Sequence, residues 1–297
     1  MSQIELFQEL PEFEPGSQAT FRGPQNPLWT ENKAELIATY LKFFVFITKH
    51  GAYIDGFTGP QDPTKLNTWA AKLVLETEPR WLRSFYLCEE SKRKIALIKK
   101  LVSEQPDTRK RTIDVHHGDF NRVIDDVLKH PGLGQNVASF CLLDQHTFEC
   151  HWSTILKLAK HKRENKIELF YFLGTGWMDR AISGIRDSQK LLDWWGGQGW
   201  SELKGRDAHA RSDLLCERFK NELGYKHVLG WPIHERKKGG GRIMYYMVHA
   251  SDHDQAPGLM ARAYRRVTGI APNEEQLEFE SLLAENTSEV PSVAYPP

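Results

Sequence analysis

Strand-like and helix-like segments alternate five times along this chain, at a spacing of roughly 25–30 residues. The strands read as "AYIDGF", "RSFYLCEES", "TIDVHHGDF", "ASFCLLDQH" and "KIELFYFLGT". Between them lie "TWAAKLVLETEP", "KRKIALIKKLVSEQ", "NRVIDDVLKH" and "WSTILKLAKHK", read as helices, with Pro79 and Pro106 as stops. Such alternation predicts an α/β, Rossmann-like architecture: a mostly parallel sheet with helices on both faces. A longer helix precedes it in "NPLWTENKAELIATYLKFFVFITK". There Thr30 can cap, Lys33 falls on the first turn, and Leu36, Ile37, Tyr40, Phe43, Phe44 and Ile47 share one face.

The rhythm breaks after Gly176. Residues 184–225, with "DWWGGQGW" inside, read as a helical insertion. "KHVLGWPIHERKKGGGRIMYYMVHASDH" then looks like two strands joined by a basic, Gly-rich turn, a late antiparallel hairpin on a parallel sheet. "PGLMARAYRRVTG" closes as a helix. The expected organisation is an N-terminal extension over 1–26, one domain over 27–268, and an acidic tail over 269–297. Basic and acidic residues balance at 39 each, yet six glutamates and no Lys or Arg follow Arg266, leaving 39 basic against 33 acidic groups in residues 1–266. The tail is either simply solvated or a shield for a basic surface. No apolar run approaches the roughly 20 residues of a membrane span. The N-terminus lacks a signal-peptide pattern. Cys88, Cys141, Cys150 and Cys216 lack C-x-x-C spacing, and the first two lie in strand-like runs as buried thiols. A reduced, cytoplasmic protein with no membrane partner is expected.

Open α/β sheets bind ligands beyond the carboxyl ends of their strands. Asp55, Gly56, Phe57, Thr58 and Gly59 follow the first strand, and Glu89 and Glu90 the second. Gly118, Asp119 and Phe120 follow the third, and Asp144, Gln145 and His146 the fourth. An acid at each of these four strand ends suits an adenosine ligand. Glycine admits its backbone-close approach, an acid after the second strand can accept the ribose hydroxyls, and one after the third the adenine amino group. The G-x-G-x-x-G fingerprint and the Walker loop are both absent, which argues against phosphates. An adenosine ligand without phosphates is S-adenosylmethionine. The plainer alternatives are a strand-ending turn at Asp55–Gly59, a helix-start acid at Glu89 or Glu90, and an N-cap at Asp119.

"WTENKAELIATYL", "YIDGFTGP", "LLDQHTFECHWSTI", "DWWGGQGW" and "MYYMVHASDH…LMARAYRRV" together resemble the three-Cys-motif partner protein family, TcmP. That family is similar to class I S-adenosylmethionine-dependent methyltransferases. The resemblance spans roughly residues 27–268 and implies a seven-stranded sheet ending in an antiparallel hairpin. It also implies cofactor-binding roles for Asp55, Phe57, Gly59, Glu89 or Glu90, and Asp119, with Asp144 as the acid of the fourth motif. Its partner would be a three-Cys-motif protein resembling radical iron–sulfur enzymes. Relatives read Gly-Pro-Gly in the first turn, where Gln61 stands here, and Asp-Pro in the fourth motif, where Gln145 stands.

Asp144 and His146 are the candidate catalytic pair, His146 as a general base or merely a surface loop histidine. Lys33, Trp177 and Arg180 are the candidate substrate-binding residues. "DWWGGQGW" either stacks on nucleobases or packs the insertion, and "ERKKGGGR" either touches phosphates or solubilises a turn. His116 and His117 are adjacent on a strand and point to opposite faces, so they cannot chelate one ion, and no metal is expected. The expected function is methyl transfer to nucleic acid, RNA in particular. The alternatives are a non-catalytic partner protein or an adenosine-ligand sensor.

Overall fold

A computed structural model describes residues 27–106, 110–235 and 241–270. The expected N-terminal extension, nearly all of the acidic tail and most of the basic hairpin tip lie outside the described residues. Helix α1 (Pro27–Thr48) comes first. It begins at Pro27, whose fixed φ suits a first helical position, so Thr30 falls inside the helix rather than capping it. Strands and helices then alternate: β1 (Ala52–Asp55), α2 (Ala70–Leu75), β2 (Ser84–Glu89), α3 (Lys92–Ser103), β3 (Thr112–His117) and α4 (Phe120–Val127). The series continues with β4 (Ser139–Leu143), α5 (Trp152–Lys160) and β5 (Glu168–Leu173). Helices α6 (Met178–Gly184), α7 (Ser188–Trp195) and α8 (Ala208–Asn221) follow, so the helical segment starts six residues before the expected 184. A hairpin of β6 (His227–His234) and β7 (Ile243–Ser251) and helix α9 (Ala256–Thr268) complete the described chain.

Among the described residues, seven strands form one sheet in the order β3-β2-β1-β4-β5-β7-β6. The first five pair in parallel, and β7 enters antiparallel between β5 and β6. Strands β1, β4 and β5 are buried at every residue, as parallel strands covered on both faces must be. Their apolar runs therefore do not alternate. The edge strands read differently: β3 is half-exposed, and β6 carries Pro232, which costs a ladder hydrogen bond least at an edge.

Both faces are covered. On one, Tyr40 of α1 packs on Phe140 and His249. On the other, Phe219 of α8 packs on Tyr171 and on Trp152 of α5. Local signals set the helix starts. Ser91 accepts from the Lys94 amide ahead of α3, which buries Ile95, Ile98 and Leu101 on one face. Asp119 caps α4, which buries Phe120, Ile124 and Val127. The tryptophans of "DWWGGQGW" serve the core. Trp194 and Trp195 are buried, and the Arg218 guanidinium lies 4.3 Å from the Trp195 ring centre and 3.8 Å from that of Trp152. No described helix is long and apolar enough to cross a membrane.

Candidate active site at the carboxyl ends of the strands

The turn after β1 is built by its own acid. Asp55 accepts from the Tyr53 hydroxyl at 2.9 Å and from the Phe57 amide at 3.1 Å. The turn is then stapled to both neighbouring strands. The Gly56 amide donates to Leu142 O of β4, and the Thr58 amide to Cys88 O of β2. Phe57 packs against Phe120, the first residue of α4, so the turns after β1 and β3 touch.

Glu89 ends β2 and faces this turn. Its carboxylate accepts from the Gly59 amide at 2.9 Å and from the Ser91 amide at 2.8 Å. A Cβ at Gly59 would collide with that carboxylate and with the Lys94 side chain, so glycine is required by close approach. A carboxylate has roughly four acceptor positions, so Glu89 keeps capacity for further donors. Glu90 is exposed, so of the acidic pair it is Glu89 that faces the turn. Asp119 sits at the mouth of α4. Its Oδ1 accepts from the amide and side chain of Asn121, its Oδ2 lies 3.8 Å from Arg122 Nε, and the side chain is 35% exposed.

Asp144 ends β4 beside this group. Lys33, from the second turn of α1, meets both of its oxygens at 2.7 Å. Lys33 is 3% exposed, and its ammonium also lies 5.4 Å from the Phe172 ring and 5.8 Å from that of Tyr245. The candidate substrate-binding Lys33 is thus half of a buried ion pair. Burial is the largest cause pushing the Asp55 carboxyl up to about 7; the hydrogen bonds from Tyr53 and Phe57 oppose it, and the charges of Asp144 and Glu89 add to it.

The structure gathers Asp55, Phe57, Gly59, Glu89, Asp144 and Lys33 at one end of the sheet, with Asp119 flanking. His146 is exposed on the following loop. Trp177 is buried against Phe172, and Arg180 is exposed on α6. Gln61 is exposed as well.

Three residues to which the sequence assigns no structural role hold the site together. Gln145 is buried, donating to Phe172 O and accepting from the Cys150 amide. Asn121 donates to Glu149 O and accepts from the His151 amide and the Thr154 hydroxyl, joining the turns after β3 and β4. Arg211 of α8 is buried and binds Thr175 O, Leu203 O and Asp179, tying the helical segment to the end of β5. A single sequence holds no signal for pairs separated by 27 to 36 residues, as most of these are, or by 111, as in Lys33–Asp144.

No family model matches the chain, and no curated protein matches it. Solved structures with a similar course do exist. A putative caffeoyl-CoA O-methyltransferase from Staphylococcus aureus is 7% identical, with TM-score 0.41, covering 73% of this chain and 83% of its own. The O-methyltransferase from Bacillus cereus in complex with SAH is 9% identical, with TM-score 0.40, over 77% and 92%. A putative O-methyltransferase from Klebsiella pneumoniae is 9% identical, with TM-score 0.39, over 80% and 94%. The fold class rests on the strand order itself. A parallel β3-β2-β1-β4-β5 sheet closed by an antiparallel β7 and an outer β6 is the Rossmann-like arrangement of class I methyltransferases.

Proposed function

We propose that the chain binds S-adenosylmethionine across the ends of β1, β2 and β3 and transfers its methyl group to nucleic acid. The observation that carries this reading is the contact between Gly59 and Glu89. It brings the glycine turn of β1 and the acid of β2 within one hydrogen bond, where an adenosine ligand needs both. The donor set fits the ligand. Glu89 would accept from the ribose hydroxyls, Asp119 from the adenine amino group, and the Asp55 turn would border the methionine end. The bound cofactor supplies a methyl group activated on a sulfonium, so the protein's work is to position reactants and exclude water. Asp144, held by Lys33, presents a fixed carboxylate beside that position. The surplus of basic groups in residues 1–266 favours a nucleic-acid acceptor; the tryptophans of "DWWGGQGW" add nothing, since two of the three are core residues.

A second reading is a TcmP-type partner that keeps the fold without turnover and docks a radical iron–sulfur protein. It is favoured by the Lys33–Asp144 pair, which occupies both oxygens of the fourth-motif acid, and by Gln145, whose amide is spent on the protein's own backbone. Thermal unfolding with S-adenosylhomocysteine tests the first step. The expected result is a raised midpoint that Glu89→Ala abolishes; no shift at millimolar ligand overturns cofactor binding. Where the shift is present, labelled S-adenosylmethionine with total RNA separates the two. Labelled RNA supports transfer, and binding without transfer to RNA supports the partner reading.

A further inference from the structure

Outside the strand-end site, the half-exposed edge strand carries chemistry of its own. The incompatibility of His116 and His117 stands, because neighbours on a strand face opposite ways. His117 is exposed, and its Nε2 lies 3.0 Å from Glu90 O. The same two-residue period, however, puts Asp114 and His116 on one face of β3. The chain then runs through α4 and brings His130 back to that face. The His116 and His130 rings meet edge to face at 5.6 Å, and Tyr86 of β2 packs beside His130 at 5.0 Å. His130 Nδ1 lies 3.5 Å from an Asp114 oxygen.

One donor atom from each of Asp114, His116 and His130 lies within 4.8 Å of the other two. Atoms that close have a common centre within about 2.8 Å of each, against roughly 2.0–2.2 Å for zinc–nitrogen and zinc–oxygen bonds, so small side-chain rotations complete the set. His116 Nε2 is buried, with no hydrogen-bond partner among the described residues. Such an orphaned atom needs an explanation, and a bound ion is one. The backbone presenting His130 is fixed, with its amide on Val127 O and its carbonyl accepting from Leu133 N. His130 and Asp114 are 35% and 34% exposed, which leaves an entry path from solvent.

We propose that Asp114, His116 and His130 form a divalent transition-metal site, with zinc as its ion. Two imidazoles and one carboxylate suit zinc and its neighbours, whereas magnesium and calcium demand oxygen ligands throughout. Three protein donors leave the fourth tetrahedral position to water. The ion would fasten the edge strand β3 to the turn after α4, on the opposite face of the sheet from Asp55 and Glu89. The site is independent of the proposed cofactor reading.

The test uses the full chain, stripped with chelator and titrated with zinc against a chromogenic competitor. The expected stoichiometry includes one zinc per chain that is lost, or weakened at least tenfold, in His116→Ala/His130→Ala and weakened in Asp114→Asn. His117→Ala, next door on the opposite face, leaves it unchanged. Cobalt substituted into the unaltered protein reports ligation without any variant, through a tetrahedral d–d spectrum lacking the thiolate charge-transfer band. Zinc binding equal in the double variant and the parent, a thiolate band, or no zinc bound at millimolar concentration overturns the proposal.

Discussion

At the amino end of the sheet, Glu168 lies buried beneath α1, where the Tyr40 hydroxyl and His249 Nε2 both meet its Oε2, the latter at 3.1 Å. At the carboxyl end, Asp55 lies buried under the Tyr53 hydroxyl and the Phe57 amide. Each acid has a buried tyrosine for a donor, and burial chiefly raises both phenols. The surroundings differ. The cavity beside Glu168, lined also by Ser139, Asp252 and Ala256, has a volume of about 60 Å³, enough for several ordered waters. Asp55 instead opens onto a turn whose glycine reaches the acid of the next strand. At the carboxyl end β2 and β3 run directly into helices α3 and α4, while β1 reaches α2 only after a long turn. Buried carboxylates alone therefore do not mark a site. The proposed site differs in setting its acid beside a close-approach glycine and a neighbouring acid.

The contrast can be broken by substitution. Lys33→Met should have the largest effect, a loss of roughly 3–5 kcal/mol, because it leaves Asp144 with an unpaired charge in a largely buried setting. Urea unfolding measures this, and Lys33→Met/Asp144→Leu should recover most of it. If the single variant is as stable as the parent, the pair holds nothing together.

Asp55→Asn should act in a pH-dependent way. The folded carboxyl keeps its proton up to about 7, whereas an unfolded Asp releases it near 3.8. Across that window the folded state holds more protons, so the parent loses stability as pH rises, by roughly 4 kcal/mol from pH 4 to pH 8. The asparagine variant should lack that decline and overtake the parent at pH 8. Parallel stability profiles would place the Asp55 carboxyl in its ordinary range.

Glu168→Gln tests the other end. It keeps an acceptor but weakens two charge-assisted contacts, for an expected loss of roughly 1–3 kcal/mol. The shift with S-adenosylhomocysteine should be unchanged, and a lost shift would remove the distinction between the ends. Gly59→Ala should cost least, about 1 kcal/mol, since what must swing aside are the flexible Glu89 and Lys94 side chains rather than backbone. Its ligand-induced shift should nevertheless vanish. A retained shift would separate the Gly59–Glu89 contact from binding.

Much of the frame was legible before any coordinates. Apolar runs such as "FCLL" and "LFYF", separated by helical periods, imply parallel strands, and "KHVLGWPIH" with "RIMYYMVHASDH" implies the late hairpin. The acids at the strand ends were visible for the same reason, because each terminates an apolar run. Their partners were not. Lys33 reads as a candidate substrate-binding lysine early in a helix, and only Asp144, 111 residues on, shows it held in an ion pair. His116 read as half of an adjacent pair, and only the return of the chain after α4 shows that it faces His130.

What the order of residues determined by itself was periodic and local. It set which segments extend, which coil, and that carboxylates stand where the first four strands stop. What folding alone decided was which of those groups meet. That follows from strand order, and the order arises because each crossover packs its helix on one face or the other. Charge pairing, orphaned atoms and enclosed space are properties of neighbours in space, and neighbours distant in the chain leave no trace in one sequence.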